Sequence, residues 1–296
     1  MRLLMWGAAA VAGCLLRSEY EKRQLRTVSY RIEHEKIPDG FDGVRILLLA
    51  DLHGKSFGSG NEKLYVRIRE CRPDYILGAG DMIVKTRPQN TAETARFLGR
   101  LTELCPVYCG NGNHELALKG QAEWQGEDAY RRYTQQLQRL GVVVLADSTA
   151  VLRRGEQAID VTGLDLGLGY YAKALSVPMR GDYLEKKLGK PQSGRFHILL
   201  GHYPNYFPEY AAWGADLVLA GHMHGGTVRL PGIGGLMSPN FEFFPVYDRG
   251  MYQHGKSCMI VSPGLGTHSV NIRFGGNYPA LSMICLKKKL RKTHGN

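Results

Sequence analysis

The segment ADLVLAGHMHGG, Ala215 to Gly226, runs an apolar stretch into two histidines and then two glycines. Its first half reads as a short buried strand. His222 and His224 are two residues apart, so an extended chain turns both imidazoles to one side. A loop carrying two solvated histidines fits this segment alone equally well. What separates the two readings is whether other strands in the chain end the same way.

They do. VRILLLA (Val44 to Ala50) is followed by DLH, with Asp51 and His53. DYILGA (Asp74 to Ala79) is followed by Gly80 and Asp81. A strand over Pro106 to Cys109 leads into GNGNHE, with Asn113, His114 and Glu115. FHILL (Phe196 to Leu200) leads into Gly201 and His202. In an open α/β sheet, functional groups gather beyond the carboxyl ends of the strands. Five such ends carry a polar cluster, and five of the ten histidines lie in them. Singly, each has an ordinary explanation: Asp51 can cap a turn, and His202 can be a satisfied core histidine. Together they point to one shared centre.

Around these ends the spacing predicts helices over 61–71, Thr91 to Leu104, Glu127 to Leu140 and near Tyr206 to Trp213. Further strands are expected at Val142 to Ala146 and, as a hairpin, within Val151 to Gly163. The end is β-rich, at Met251 to His254, Ser257 to Ser262, Asn271 to Phe274 and Ala280 to Leu286. Alternating strands and helices that give way to consecutive strands predict an α/β protein of two sheets with helices outside.

A length of 296 residues suits one large domain or two small ones. With 44% hydrophobic and 22% charged residues the chain is globular rather than disordered. Its formal charge of +11 favours anionic partners, whether phosphorylated substrate, acidic lipid or nucleic acid. Leu3 to Leu16 is apolar throughout, and as a helix those 14 residues reach about 21 Å, short of a bilayer core of roughly 30 Å. The run fits a short signal anchor, an interfacial segment, the core of a signal peptide or a buried helix. VAGC, Val11 to Cys14, also has the form of a lipoprotein cleavage box. We therefore divide the chain into an anchor or signal-like segment with its linker, 1–32, and a catalytic domain, 33–296, and expect association with a bacterial cell membrane. Arg17, Lys22, Arg23 and Arg26 after the run favour a cytoplasmic domain, and the side stays open. The basic tail KKKLRK, Lys287 to Lys292, is a solvated end or a contact to anionic lipid. The remaining cysteines are odd in number and irregular in spacing, so neither disulfides nor a thiolate metal site is expected.

Aspartate, histidine and asparagine together suit Mn, Fe, Zn or Co rather than Ca. The donors are too many for one ion, so two divalent ions are expected, with a carboxylate such as Asp81 between them. Asp51 and Asp81 leave such a pair net positive, which suits a phosphate and acidifies a bridging water. The reaction class this implies is metal-assisted hydrolysis at phosphorus.

The pattern DLH, GD, GNHE, GH, GHMH resembles the calcineurin-like metallophosphoesterase superfamily. With the apolar start, GHMHGG and the late SPGLG, it is most similar to the bacterial membrane-associated YkuE/YaeI-like group. The resemblance implies a four-layer αββα sandwich with a dinuclear site at the strand ends. It implies a first metal held by Asp51, His53, Asp81 and His224, and a second held by Asp81, Asn113, His202 and His222. Asp81 would bridge, a metal-bridging hydroxide would attack, and His114 would assist the leaving group. Manganese or iron is the expected pair, with zinc as an option. The substrate implied is a phosphomonoester, phosphodiester or pyrophosphate, on a small molecule or a lipid- or glycan-linked compound of the membrane or envelope. A nuclease is the alternative, although nothing interleaves aromatic and basic residues as nucleic-acid binding would want. A non-catalytic scaffold would have lost ligands, and none is missing.

One departure stands out. Much of the superfamily has an aspartate three residues after the bridging one, paired with the catalytic histidine. Here Val84 stands there. Other residues stay ambiguous. Arg273 faces substrate or solvent. SPNFEFFPVY, Ser238 to Tyr247, is ordinary packing or a hydrophobic rim, and Tyr170, Tyr171 and Arg180 lie in a loop able to cap the site.

Overall fold

The computed structural model describes residues 2–87, 91–125, 129–173, 177–230, 232–267 and 271–289. The chain begins with α1 (Arg2–Arg23) and β1 (Arg26–His34), then β2 (Arg45–Leu49), α2 (Glu62–Cys71), β3 (Tyr75–Ala79), α3 (Thr91–Arg100) and β4 (Val107–Gly110). It continues through α4 (Asn113–Gln125), α5 (Ala129–Arg139), β5 (Val143–Leu145), β6 (Ser148–Arg154), β7 (Gln157–Gly163) and α6 (Tyr183–Leu188). After these come β8 (His197–Leu200), α7 (Phe207–Trp213), β9 (Leu217–Ala220), the short hairpin β10 (Arg229–Leu230) and β11 (Gly234–Gly235), β12 (Gly250–His254), β13 (Ser257–Val261) and β14 (Ala280–Lys288).

Two six-stranded mixed sheets result, in the orders β1-β14-β2-β3-β4-β5 and β12-β13-β9-β8-β7-β6. In the first sheet, β2, β3, β4 and β5 run parallel. In the second, β7, β8, β9 and β13 do. Strands buried on both faces read as continuous apolar runs, and β2 shows why. Its Ile46 and Leu48 enter the core between the sheets with Leu77, Ile198, Leu200 and Leu219. Its Leu47 and Leu49 turn the other way, toward Leu64, Ile68, Leu98 and Leu137 of the covering helices. The outer face of the second sheet packs Leu199 and Val218 against Leu184, Phe207 and Tyr210. The order of layers is therefore helix, sheet, sheet, helix.

The N-terminal region is built in more deeply than the sequence suggests. The division expected at 32/33 falls inside β1, which pairs with β14 along its whole length, from Arg26 with Ala280 to His34 with Lys288. The end of α1 is also docked. Ser18, Glu21 and Lys22 are buried, and Glu21 accepts the amides of Gly276 and Asn277. Among the described residues no helix is long and apolar enough to cross a membrane.

The strand expected at Asn271 to Phe274 does not form. Phe274 makes only an isolated bridge to Val228. Arg273 there faces neither substrate nor solvent. It is 1% exposed, and its guanidinium donates to the carbonyls of Pro263, Gly264 and Gly266. The calls on Leu290 to Lys292 of the basic tail lie outside the described residues.

Candidate metal centre

The residues expected at the five strand ends converge. Asp51 and His53 follow β2, Asp81 follows β3, and Asn113 and His114 open α4 just past β4. His202 follows β8, and His222 and His224 follow β9. The first sheet thus supplies the carboxylates and the second supplies three of the imidazoles.

Three groups of metal-binding type form: Asp51, His53 and His224; His53, Asp81 and His114; and Asp81, His202 and His222. His53 and Asp81 each belong to two of them, so the groups join into one elongated site. His53 Nε2 lies 3.1 Å from His224 Nε2 and 3.8 Å from Asp81 Oδ2. On the other side His202 Nε2 lies 3.2 Å from the same Asp81 oxygen. Asn113 Oδ1 is 2.9 Å from His222 Nδ1.

The donor set fits divalent cations. His202 Nδ1 sits 2.7 Å from the Ala79 carbonyl, which can only accept, so the ring proton is there. That leaves the Nε2 lone pair aimed at Asp81. His202 Nε2 and Asp81 Oδ2 are buried and have no hydrogen-bond partner. Such groups are costly unless a cation or proton joins them. His222 repeats the arrangement. Its Nε2 is 3.3 Å from Asn240 Oδ1, and donating there leaves Nδ1 as the ligand atom beside Asn113. An imidazole ligand whose other nitrogen donates to an oxygen is the usual outer-shell device of metal sites.

Charge balance agrees. Burial pushes the Asp51 carboxyl up to about 7. Burial acts the same way on Asp81, but His202, His114 and His53 outweigh it and hold that carboxyl well below the usual carboxylate range. Burial lowers His202 too, yet Asp81 and Asp51 win and raise it to about 9. Without metal, burial thus disfavours the charged form of Asp51 while Asp81 stays ionised, whereas divalent charge satisfies both.

The backbone is unusual at the ligands. Asp51, His53, Asp81, His222 and His224 all have positive φ, between 49° and 66°. Non-glycine residues in this region cost on the order of 1–3 kcal/mol each and gather at functional sites. Here the strain turns each side chain out of its strand direction and into the centre.

Asn240 and the Lys85 amide carried no signal in the sequence. Glu115, directly after His114, does not orient it. Its carboxylate accepts the amides of Asp81, Met82, Ile83 and Gly112 at 2.8–3.2 Å, which locks the two ligand loops together. The carboxylate missing at Val84 is replaced by a backbone group: the Lys85 amide donates to His114 Nδ1 at 3.1 Å. His114 then carries its proton on Nε2, a tautomer fixed by that bond. Burial lowers the pKa of His114, in keeping with a neutral ring. The SPGLG segment lies beneath Asp51, with the Gly266 amide 2.6 Å from the Asp51 carbonyl. Asn111 shapes the loop, donating to Tyr130 and Asp165. Tyr171 packs 5.2 Å from the His222 ring, while Arg180 is exposed and paired with Asp182. All six cysteines are free and none joins the site.

A family model described as calcineurin-like phosphoesterase matches residues 44–226, more than half of the chain. The chain is 28% identical over 294 residues to the uncharacterised metallophosphoesterase YkuE of Bacillus subtilis (strain 168), covering 96% of this chain and 95% of the relative. It is 24% identical over 233 residues to the phosphodiesterase YaeI of Escherichia coli (strain K12), covering 75% of each. It is also 26% identical over 268 residues to a zebrafish (Danio rerio) transmembrane protein with metallophosphoesterase domain, covering 88% of this chain and 57% of the relative.

Proposed function

The chain belongs to the calcineurin-like phosphoesterase family, a hydrolase of phosphate esters, and from that premise we propose how its residues divide the work. Asp51, His53, Asp81 and His224 hold one divalent cation. Asp81, Asn113, His202 and His222 hold the second, and Asp81 is shared. The observation that carries this reading is Asp81 Oδ2, buried without a hydrogen-bond partner, 3.2 Å from His202 on one side and 3.8 Å from His53 on the other.

Ions bound there supply Lewis-acid polarisation of a phosphate oxygen and an acidified water. The side chains do the rest. Two carboxylates against two divalent ions leave net positive charge, which draws an anionic phosphate. His114 holds a proton at Nε2, available to the oxygen that departs. Glu115 and the first amides of α4 are engaged with each other and with Asp81, so the ligand loops keep their positions while charge moves. Oxygen and nitrogen donors favour manganese or iron, with zinc possible. The phosphodiesterase name of YaeI supports a diester among the substrates; a monoester or pyrophosphate uses the same groups. A membrane- or envelope-linked phosphate ester is the finer reading, supported by the apolar N-terminal segment.

Metal content per chain tests the assignment. Wild type purified with manganese, iron and zinc should hold about two ions. Asp81→Asn should lose most of both, and Asp51→Asn mainly one. A wild type that holds no metal and cleaves no ester in a broad phosphate panel would end the proposal.

A further inference from the structure

The segment Ser238 to Tyr247 starts at the metal centre, passes through solvent and returns to the core at Tyr247, which packs on Phe207 and Tyr252. Asn240 contacts His222, and the next residues turn outward. Phe241 is 49% exposed, Phe243 66%, Phe244 54% and Val246 71%. Single exposed apolar side chains are ordinary, but four within six residues are not. This is no loose tip. The Phe241 amide bonds Ser238, the Ser238 amide bonds Glu242, and the Phe244 amide bonds Leu236. Phe241 and Phe244 also have φ of 63° and 50°, a region that bulky residues avoid. The backbone is held in a strained shape whose effect is to keep aromatic rings in water.

The patch continues sideways. Leu230 and Ile233 of the β10–β11 hairpin share a cleft of about 470 Å³ with Pro245 and Val246, and Arg229, Arg249 and Gly275 line it too. The loop at Gly275 leads to the docked end of α1, since Glu21 accepts the Gly276 amide. From there α1 extends away with Trp6, Val11, Leu15 and Leu16 exposed. Basic groups border these apolar surfaces: Lys173 lies over the Phe241 ring, and Arg23 and Arg26 are exposed at the end of α1.

We propose that Phe241, Phe243, Phe244 and Val246, with Leu230 and Ile233 beside them, form a docking surface for the interface of a bilayer containing anionic lipid. Exposed aromatic rings with Lys173 over one of them, and exposed arginines at the end of α1, suit the headgroup layer, where apolar side chains enter and basic ones meet lipid phosphate. The chain's net charge of +11 agrees. Helix α1, whose apolar run is too short to span and whose end bonds the loop at Gly276, is a second contact with that layer. Docking stands on these surfaces whatever the reaction is. That a lipid-borne phosphate then faces the metal centre rests on the hydrolase reading above.

Co-sedimentation of the full-length chain with vesicles is the test. Wild type should bind vesicles of mixed phosphatidylcholine and phosphatidylglycerol, and bind phosphatidylcholine alone more weakly. The triple change Phe243→Ser, Phe244→Ser, Val246→Ser should weaken binding at least about tenfold with an unchanged Tm. Should the triple variant melt early, Phe243→Ser alone should still weaken binding about threefold. Equal binding by variant and wild type would overturn the proposal, because α1 alone would then explain it. A wild type that ignores vesicles, or whose rim change abolishes only self-association, would overturn it as well. Equal binding to both vesicle types would overturn the anionic-lipid assignment. Hydrolysis of a soluble nitrophenyl ester, read without vesicles, reports on the reaction separately: its absence alongside normal docking strikes the hydrolase reading alone.

Discussion

His114 receives the Lys85 amide at Nδ1 where the family resemblance implied a carboxylate, and the difference has chemical content. A carboxylate on that nitrogen favours imidazolium, whereas an amide donor there favours the neutral ring with its proton on Nε2. A neutral imidazole can still donate its Nε2–H to a departing alkoxide, and full transfer of that proton leaves an imidazolate whose Nδ1 keeps the Lys85 amide bond. This contribution matters most when the leaving group is poor. His114→Ala should therefore slow hydrolysis of an alkyl phosphate ester by roughly 10²–10³-fold, the lower part of the range for acid catalysis. Loss on a nitrophenyl ester should be far smaller, since nitrophenolate leaves unaided. Steady-state rates of wild type and His114→Ala on both esters check this, and equal losses would leave His114 as a phosphate-binding or structural residue. The convergence of the seven proposed ligand residues and His114 was legible because residue type and place past a strand carry the signal. Asn240 was not, and the roles of Glu115 and Arg273 were not, because their partners are backbone groups or distant side chains that no local spacing reveals. Nor was the positive φ at five ligands, since in sequence only glycine advertises that conformation.

The elements most readable from sequence were the central strands, whose apolar runs leave one interpretation. Those at the margins were harder. β1 carries Val28, Tyr30 and Ile32 in alternation, a period-two signal that its charged neighbours obscure, and most of the strand is exposed. Asn271 to Phe274 has the composition of a strand, but Arg273 is consumed by the carbonyls under Asp51. The docked end of α1 joins the same network. The Ser18 hydroxyl accepts the Arg273 amide at 3.1 Å, and Lys55 bridges the carbonyls of Lys22 and Leu265. A chain starting near Glu33 loses all of this and nearly all of β1, which leaves β14 as a raw sheet edge. A chain starting at Arg17 keeps both. We expect the Glu33 start to be poorly soluble and to melt at least about 10 °C lower, given several kcal/mol of lost pairing and burial. Soluble yield and Tm of the two truncations decide it. Equal values would show that residues 17–32 are dispensable to the domain.

At the scale of the whole molecule, the site exists because two sheets approach closely at one end. Neither sheet holds the whole proposed ligand set; Asp51, His53, Asp81 and Asn113 come from one, and His202, His222 and His224 from the other. Glycines allow the approach. A Cβ at Gly221 would lie 2.6 Å from Asp51 Oδ2 and 2.9 Å from the Ala50 Cβ, and one at Gly110 would lie 3.2 Å from the Leu200 Cβ. Gly221 is the sharper probe, because its contact is the closer one, and as its φ is not in the left-handed region an alanine there meets a steric obstacle alone. The obstacle is a ligand carboxylate of the opposite sheet. Gly221→Ala must push Asp51 and the β9 end apart by several tenths of an ångström, and overpacking of this kind costs about 1–3 kcal/mol. A ligand that binds only the folded state raises Tm in proportion to its affinity. Measured in chelator, the variant should melt about 2–10 °C below wild type. Measured in excess manganese, the gap should widen, because the displaced carboxylate weakens the added stabilisation. If both proteins gain the same Tm on adding metal, the sheets do not meet through this contact, and the centre tolerates a wider separation than its geometry implies.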